Sequence, residues 1–331
     1  NSSLNILTVA SATANVILSA AQSIVDWANT DAVDVTSPTG LQITARAGSI
    51  GNSGYLEVNT GSSGLVRSNA TGNIRLKELS DEMKVALISS TGGVVDLIAD
   101  GSLVDGLQNS EVDVNGALGI SLRASNGFIG DSGYLEIVSG TNSPVFAQAK
   151  GVVALSSTVG DLRIDSITSQ TAGVNLVSAG SIIDHNNSAA ADIVAATGVW
   201  LTATNGGSIG DIDNLEIETS DGAPVNATAP GNVRLRELTN DMAVQWVQSS
   251  QGMVYLQSAR SIVDALNSDA VDVFAGGSVE LAAGTGSIGD IGAIEVDTGA
   301  TCLLKASAQG NIRVRELTGD LLLDRLSSVG G

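Results

Sequence analysis

An eight-residue segment that returns at a fixed distance constrains this 331-residue chain more than any other feature. Gly72-Asn73-Ile74-Arg75-Leu76-Lys77-Glu78-Leu79 recurs from Gly231 to Leu238 and from Gly310 to Leu317, with a decayed copy starting at Gly151. The four starts, Gly72, Gly151, Gly231 and Gly310, thus keep one step that varies by a single position. Gly48-Ser49-Ile50-Gly51 recurs at Gly127, Gly207 and Gly286 with the same step, and Ser23-Ile24-Val25-Asp26 at Ser102, Ser181 and Ser261. Aligned on the position two before their Ile, Leu or Val, the three motifs follow one another at a short, a shorter and a longer interval, and this cycle repeats. The sequence therefore reads as units 22–100, 101–179, 180–259 and an incomplete 260–331, with 1–21 as the end of a preceding unit. Each unit divides into three sub-repeats of about 26 residues.

Local patterning is strand almost throughout. Runs such as Tyr55-Leu56-Glu57-Val58 and Val112-Asp113-Val114 alternate apolar and polar residues, and Gly, Asn, Asp and Ser clusters separate them. Even 79–87 and 238–247, which have some helical flavour, read as strand and turn. So short a sub-repeat, built of short strands, cannot bury its own apolar face, whereas stacked copies can. The expected fold is an all-β, right-handed parallel β-helix running through 1–331 as one solenoid of about 12 coils. A four-coil division of each unit and a tandem β-sandwich array are the alternatives. The inward ladder predicted for the solenoid is Ile24, Ile50, Ile74, Leu103, Ile129, Val153, Ile182, Ile209, Val233, Ile262, Ile288 and Ile312.

Composition excludes several classes. Lys and Arg number 15 against 35 Asp and Glu, a formal net charge of -20, which argues against nucleic acid as a partner. One cysteine and one histidine leave no disulfide framework and no multi-histidine metal site. No apolar run is long enough for a membrane-spanning helix. The chain opens Asn1-Ser2-Ser3 with no signal peptide, which reads as a processed product or an excerpt of something longer. The acidic residues form three columns: Asp26, Asp105, Asp184 and Asp264; Asp34, Asp113, Asp192 and Asp272; Glu57, Glu136, Glu216 and Glu295. Repeating every three coils, like charges are expected roughly 14 Å apart. That exceeds the Debye length of about 8 Å, so the columns read as solvated faces.

The Gly-Ser-Ile, Gly-Asn-Ile-Arg-Leu and Ser-Ile-Val-Asp motifs between short strands resemble the repeats of very large bacterial surface exoproteins, the filamentous-haemagglutinin-like adhesins. The resemblance covers the whole chain and is one of repeat style. It implies an extracellular, cell-surface location in a bacterium. It also implies a non-enzymatic role as a rigid stalk, adhesin or fibre subunit. The partners it implies are further repeats or like subunits end to end, and surface glycans or other cells.

Chemistry is sparse by comparison. The best local carboxylate pair for sugar hydrolysis is Asp211 and Asp213. Asp211, however, matches Asp131 and Asp290 in other units, whereas an active site is normally unique. A carbohydrate-binding or carbohydrate-cleaving β-helix is thus an alternative, and the chain is expected not to be an enzyme. No cofactor is called for. A calcium-stabilised surface solenoid is the other alternative, with Asp131, Asp211, Asp213 and Asp290, or the Asp26 and Asp34 columns, as candidate ligands. His185 lies in an Asp-rich turn and is expected to be an ordinary exposed histidine. Cys302 is expected to be a small buried apolar residue. Trp27, Trp200 and Trp246 are expected out of register, and so form no stacking platform.

Overall fold

Period-two alternation of inward Ile, Leu, Val and Ala with outward polar residues dictates the architecture. The computed structural model describes residues 2–51, 54–130, 133–210, 212–299 and 301–330. It is all-β, with parallel strands stacked as a β-solenoid of about 15 turns of about 21 residues. Every strand pairing among the described residues is parallel, which sets aside the β-sandwich array. Among the described residues, no helix is long and apolar enough to cross a membrane. The chain divides into two units, Asn1–Thr158 and Val159–Gly331.

In the first unit one sheet stacks Leu4, Ile24, Ile50, Ile74, Val95, Ile120 and Val145 in one inward column. The facing sheet stacks Met83, Leu103, Ile129 and Val153. In the second unit Leu162, Ile182, Ile209, Val233, Val254, Val279 and Leu304 form one column. Met242, Ile262, Ile288 and Ile312 form the other. Eleven of the twelve predicted ladder residues are fully buried and Ile312 is half-buried.

The ladder is two columns, however, and this corrects the coil count. Ile24, Ile50 and Ile74 are true neighbours, but the rung after Ile74 is Val95, and Leu103 lies on the opposite sheet. The longest of the three intervals in the sequence is therefore a full turn plus a crossing. Each sequence repeat makes about three and a half turns, rather than the three coils or the four considered from the sequence. Successive copies of one motif thus fall on alternate sheets.

The motif residues before each inward Ile have a shared use. The Ser23 hydroxyl accepts the Ser49 amide at 3.1 Å, Ser49 Oγ accepts the Asn73 amide at 3.1 Å, and Asn73 Oδ1 accepts the Val94 amide at 2.9 Å. The second unit repeats this through Ser181, Ser208 and Asn232. The preceding glycines leave room for these oxygens. A Cβ at Gly72 would stand 2.4 Å from Ser49 Oγ, and one at Gly231 2.4 Å from Ser208 Oγ. Close approach, not positive φ, explains glycine there.

Candidate functional site

Four times in the chain, a strand breaks in the middle of a rung and the backbone loops out. In the second copy the uninterrupted strand Met83–Ser90 carries a bulge between Val85 and Leu87. The rung stacked on it is split into Leu103–Asp105 and Val114–Gly116, separated by the loop 106–113. Asp105 ends the first piece and Asp113 immediately precedes the second. The next strand, Leu135–Ser139, brings in Glu136, whose amide donates to Asp113 Oδ2 at 3.0 Å. The same construction gathers Asp26, Asp34 and Glu57; Asp184, Asp192 and Glu216; and Asp264, Asp272 and Glu295. In each triad one oxygen from every carboxylate lies within 4.8 Å of the others.

These are the three acidic columns of the sequence, and here the structure overturns the expected exposure of the two that contain Asp34 and Glu57. Alternation does point each glutamate outward, but each is buried, its amide bound by the aspartate that ends the loop. Asp113 and Asp192 are only 1% exposed, and Glu57, Glu216 and Glu295 3%. Three different columns meet in one place, so the separation that matters is the 4.8 Å within a triad, not the much longer step between like residues of one column.

The hydrogen bonds are unevenly shared. Asp26 Oδ1 and Oδ2 accept the amides of Ala28 and Thr30, Asp105 those of Leu107 and Asn109, and Asp264 those of Leu266 and Ser268. These bonds fix the loops, each of which contains a left-handed residue: Asn29, Gln108, Asn187 or Asn267. By contrast Oε2 of Glu57, Glu136, Glu216 and Glu295 accepts no hydrogen bond, nor do Asp184 Oδ2 and Asp192 Oδ1.

Burial is the main cause raising the carboxyl pKa values, with neighbouring carboxylates adding to it. Asp34 is pushed up to about 6, Glu57 and Glu216 to about 7, and Asp192 to about 8. Asp113, Glu136 and Asp272 move upward for the same reason. Two like charges about 4 Å apart repel by about 4 kcal/mol at an effective dielectric of 20. Three ionised carboxylates in one triad therefore need a proton or a cation among them.

Among the described residues, cations face three of the triads across the next rung. Across the next rung Glu57 faces Lys77, Glu216 faces Arg236 and Glu295 faces Arg315, but Glu136 faces Ser156. Arg315 reaches Glu295 at 3.1 Å and Asp269 at 2.6 Å, while Arg236 is 3.8 Å from Glu216. Lys77 instead pairs with Asp31 at 2.7 Å.

Open space adjoins the first and third triads. A pocket of about 200 Å³ beside the first is lined by Asp26, Asn29, Thr30, Asp31, Tyr55 and Glu57. A groove of about 450 Å³ beside the third is lined by Arg163, Asp184, His185, Asn187, Asp213 and Asn214. His185 is therefore half-buried beside carboxylates, not an exposed turn residue.

The sequence candidates fare unequally. Asp131 and Asp211 lie outside the described residues. Asp213 is on the groove rim, near enough to Glu216 to help raise its pKa, but belongs to no triad. Asp290 contributes its backbone carbonyl to Arg313. Cys302 is half-exposed rather than buried. Trp200 and Trp246 do share a register, paired on either side of Asn226, while Trp27 stands apart and 68% exposed. Sequence reasoning missed how the triads assemble. The step shared by all three acidic columns was the available signal. No protein family, curated protein or solved structure matches this chain.

Proposed function

We propose that the chain is a non-enzymatic scaffold: a segment of a rigid, extracellular, cell-surface stalk or fibre of the adhesin-like kind its repeats resemble. One observation carries this reading. The recurring polar motifs are consumed in holding one rung to the next, as in the Ser23, Ser49 and Asn73 series, which leaves little of the repeat for chemistry. Further repeats or other copies of the chain are the partners this reading calls for. Electron microscopy of the purified chain tests the scaffold. Elongated particles or fibres are expected, and compact globules overturn it. Protease shaving of the cells that make it tests location: release of its peptides from intact cells is expected, and release only after lysis overturns the surface assignment.

The groove beside Asp184 favours a second reading, a carbohydrate site, because Arg163, His185 and Asp213 converge there and His185 occurs once in the chain. Glycan binding lost in His185→Ala and Asp213→Asn supports it. Binding unchanged by both, or absent from the parent chain, removes it.

A further inference from the structure

We propose that the four acidic triads are calcium sites, one per repeat, and that Asp105, Asp113 and Glu136 form the one with the least competition from protein cations. Acidic clusters are common without ions, so the argument rests on what these carboxylates lack. At each triad a glutamate carboxylate, more than nine-tenths buried, keeps one oxygen with no donor: Oε2 of Glu57, Glu136, Glu216 and Glu295. Such an atom is costly to bury unless something binds it. It belongs to a carboxylate that, with those of two aspartates, offers one oxygen each within 4.8 Å of the others. Calcium–oxygen distances of about 2.3 to 2.6 Å put any two ligands of one ion no more than about 5 Å apart, which is this spacing.

The donor set selects the ion. Three carboxylates are hard oxygen ligands, and together they supply between three and six of the six to eight oxygens calcium takes. The aspartate oxygens that accept amides keep a second lone pair for a cation. No imidazole or thiolate belongs to a triad. Magnesium needs near-octahedral geometry and holds its waters, so a set already covered by a loop suits it poorly. The pocket lined by Asn29, Thr30 and Asp31 gives the first triad both an entrance and additional oxygens. Protein cations complete the ranking: Arg315 already sits on Glu295, Arg236 approaches Glu216, Lys77 lies opposite Glu57, and Ser156 lies opposite Glu136.

This inference does not depend on the chain being a stalk. The test is equilibrium dialysis of the metal-stripped 331-residue chain against calcium chloride at neutral pH, with magnesium chloride in parallel. About four calcium ions per chain are expected, with at least tenfold weaker uptake of magnesium. Glu136→Gln is expected to remove one ion, and the fourfold variant Glu57→Gln, Glu136→Gln, Glu216→Gln, Glu295→Gln to remove all four. Uptake below one ion per chain, or uptake unchanged in either variant, overturns the proposal; the latter means diffuse binding to an acidic surface. Should the fourfold variant fail to fold by circular dichroism, Glu136→Gln alone decides.

Discussion

Two kinds of buried glutamate carry opposite consequences for one substitution. Glu78 is fully buried, and its Oε2 accepts the amide and hydroxyl of Thr60 at 3.0 and 2.7 Å, while Oε1 accepts the amide and hydroxyl of Ser80. Glu237 repeats this with Thr219, Thr239 and Asn240. Glu78→Gln turns an amide NH₂ toward donors and is expected to destabilise by about 1–3 kcal/mol in urea unfolding. Glu136 lacks such donors on Oε2 and sits among carboxylates, so Glu136→Gln in chelator is expected to raise the urea midpoint. Gly72 gives a third case. Gly72→Ala sets a methyl against Ser49 Oγ and is expected to cost about 1–3 kcal/mol. Combined with Ser49→Ala, the loss is expected to be smaller than the sum of the two single losses, measured as a double-mutant cycle.

At the scale of the element, alternation made the strands and their inward residues legible, because one buried face and one polar face leave a period-two trace. It hid the number of turns. A motif that repeats after three and a half turns looks the same on either sheet, so Ile74 and Leu103 read as neighbours although Val95 is stacked on Ile74. The exposure of the acidic columns was illegible for a related reason. Glu136 is an outward residue by pattern, yet it is buried, with its amide bound by Asp113 at the end of the loop 106–113. These loops carry a pH dependence with a definite sign. The folded pKa values of Asp34, Glu57, Asp192 and Glu216, about 6 to 8, exceed their ordinary values near 4. The folded state thus binds these protons more tightly, and its stability is greatest below about pH 4 as far as these groups are concerned. It falls as pH rises to about 8. In chelator the melting temperature is expected to drop steadily between pH 5 and pH 8, with Lys77 and Arg236 limiting the drop at their own triads. A flat or rising profile there contradicts the burial of these carboxylates.

For the whole molecule, the formal charge of -20 overstates the charge of the folded chain, because twelve of its 35 acidic residues lie in triads that cannot all ionise. At pH 7, Asp192 is mostly protonated when folded, and Glu57 and Glu216 about half. An unfolded chain binds almost no carboxyl protons at that pH. Unfolding at pH 7 in chelator is therefore expected to release about two protons, and more with those of Asp113 and Asp272. Calorimetric melts in PIPES and in Tris separate this release from the intrinsic enthalpy, since the two buffers take up protons with different heats and neither precipitates calcium. Calcium and protons compete for the same oxygens, so saturating calcium is expected to abolish most of the difference between the buffers. It is also expected to flatten the fall in melting temperature above pH 6. A buffer difference that calcium leaves unchanged would place the protons on groups outside the triads.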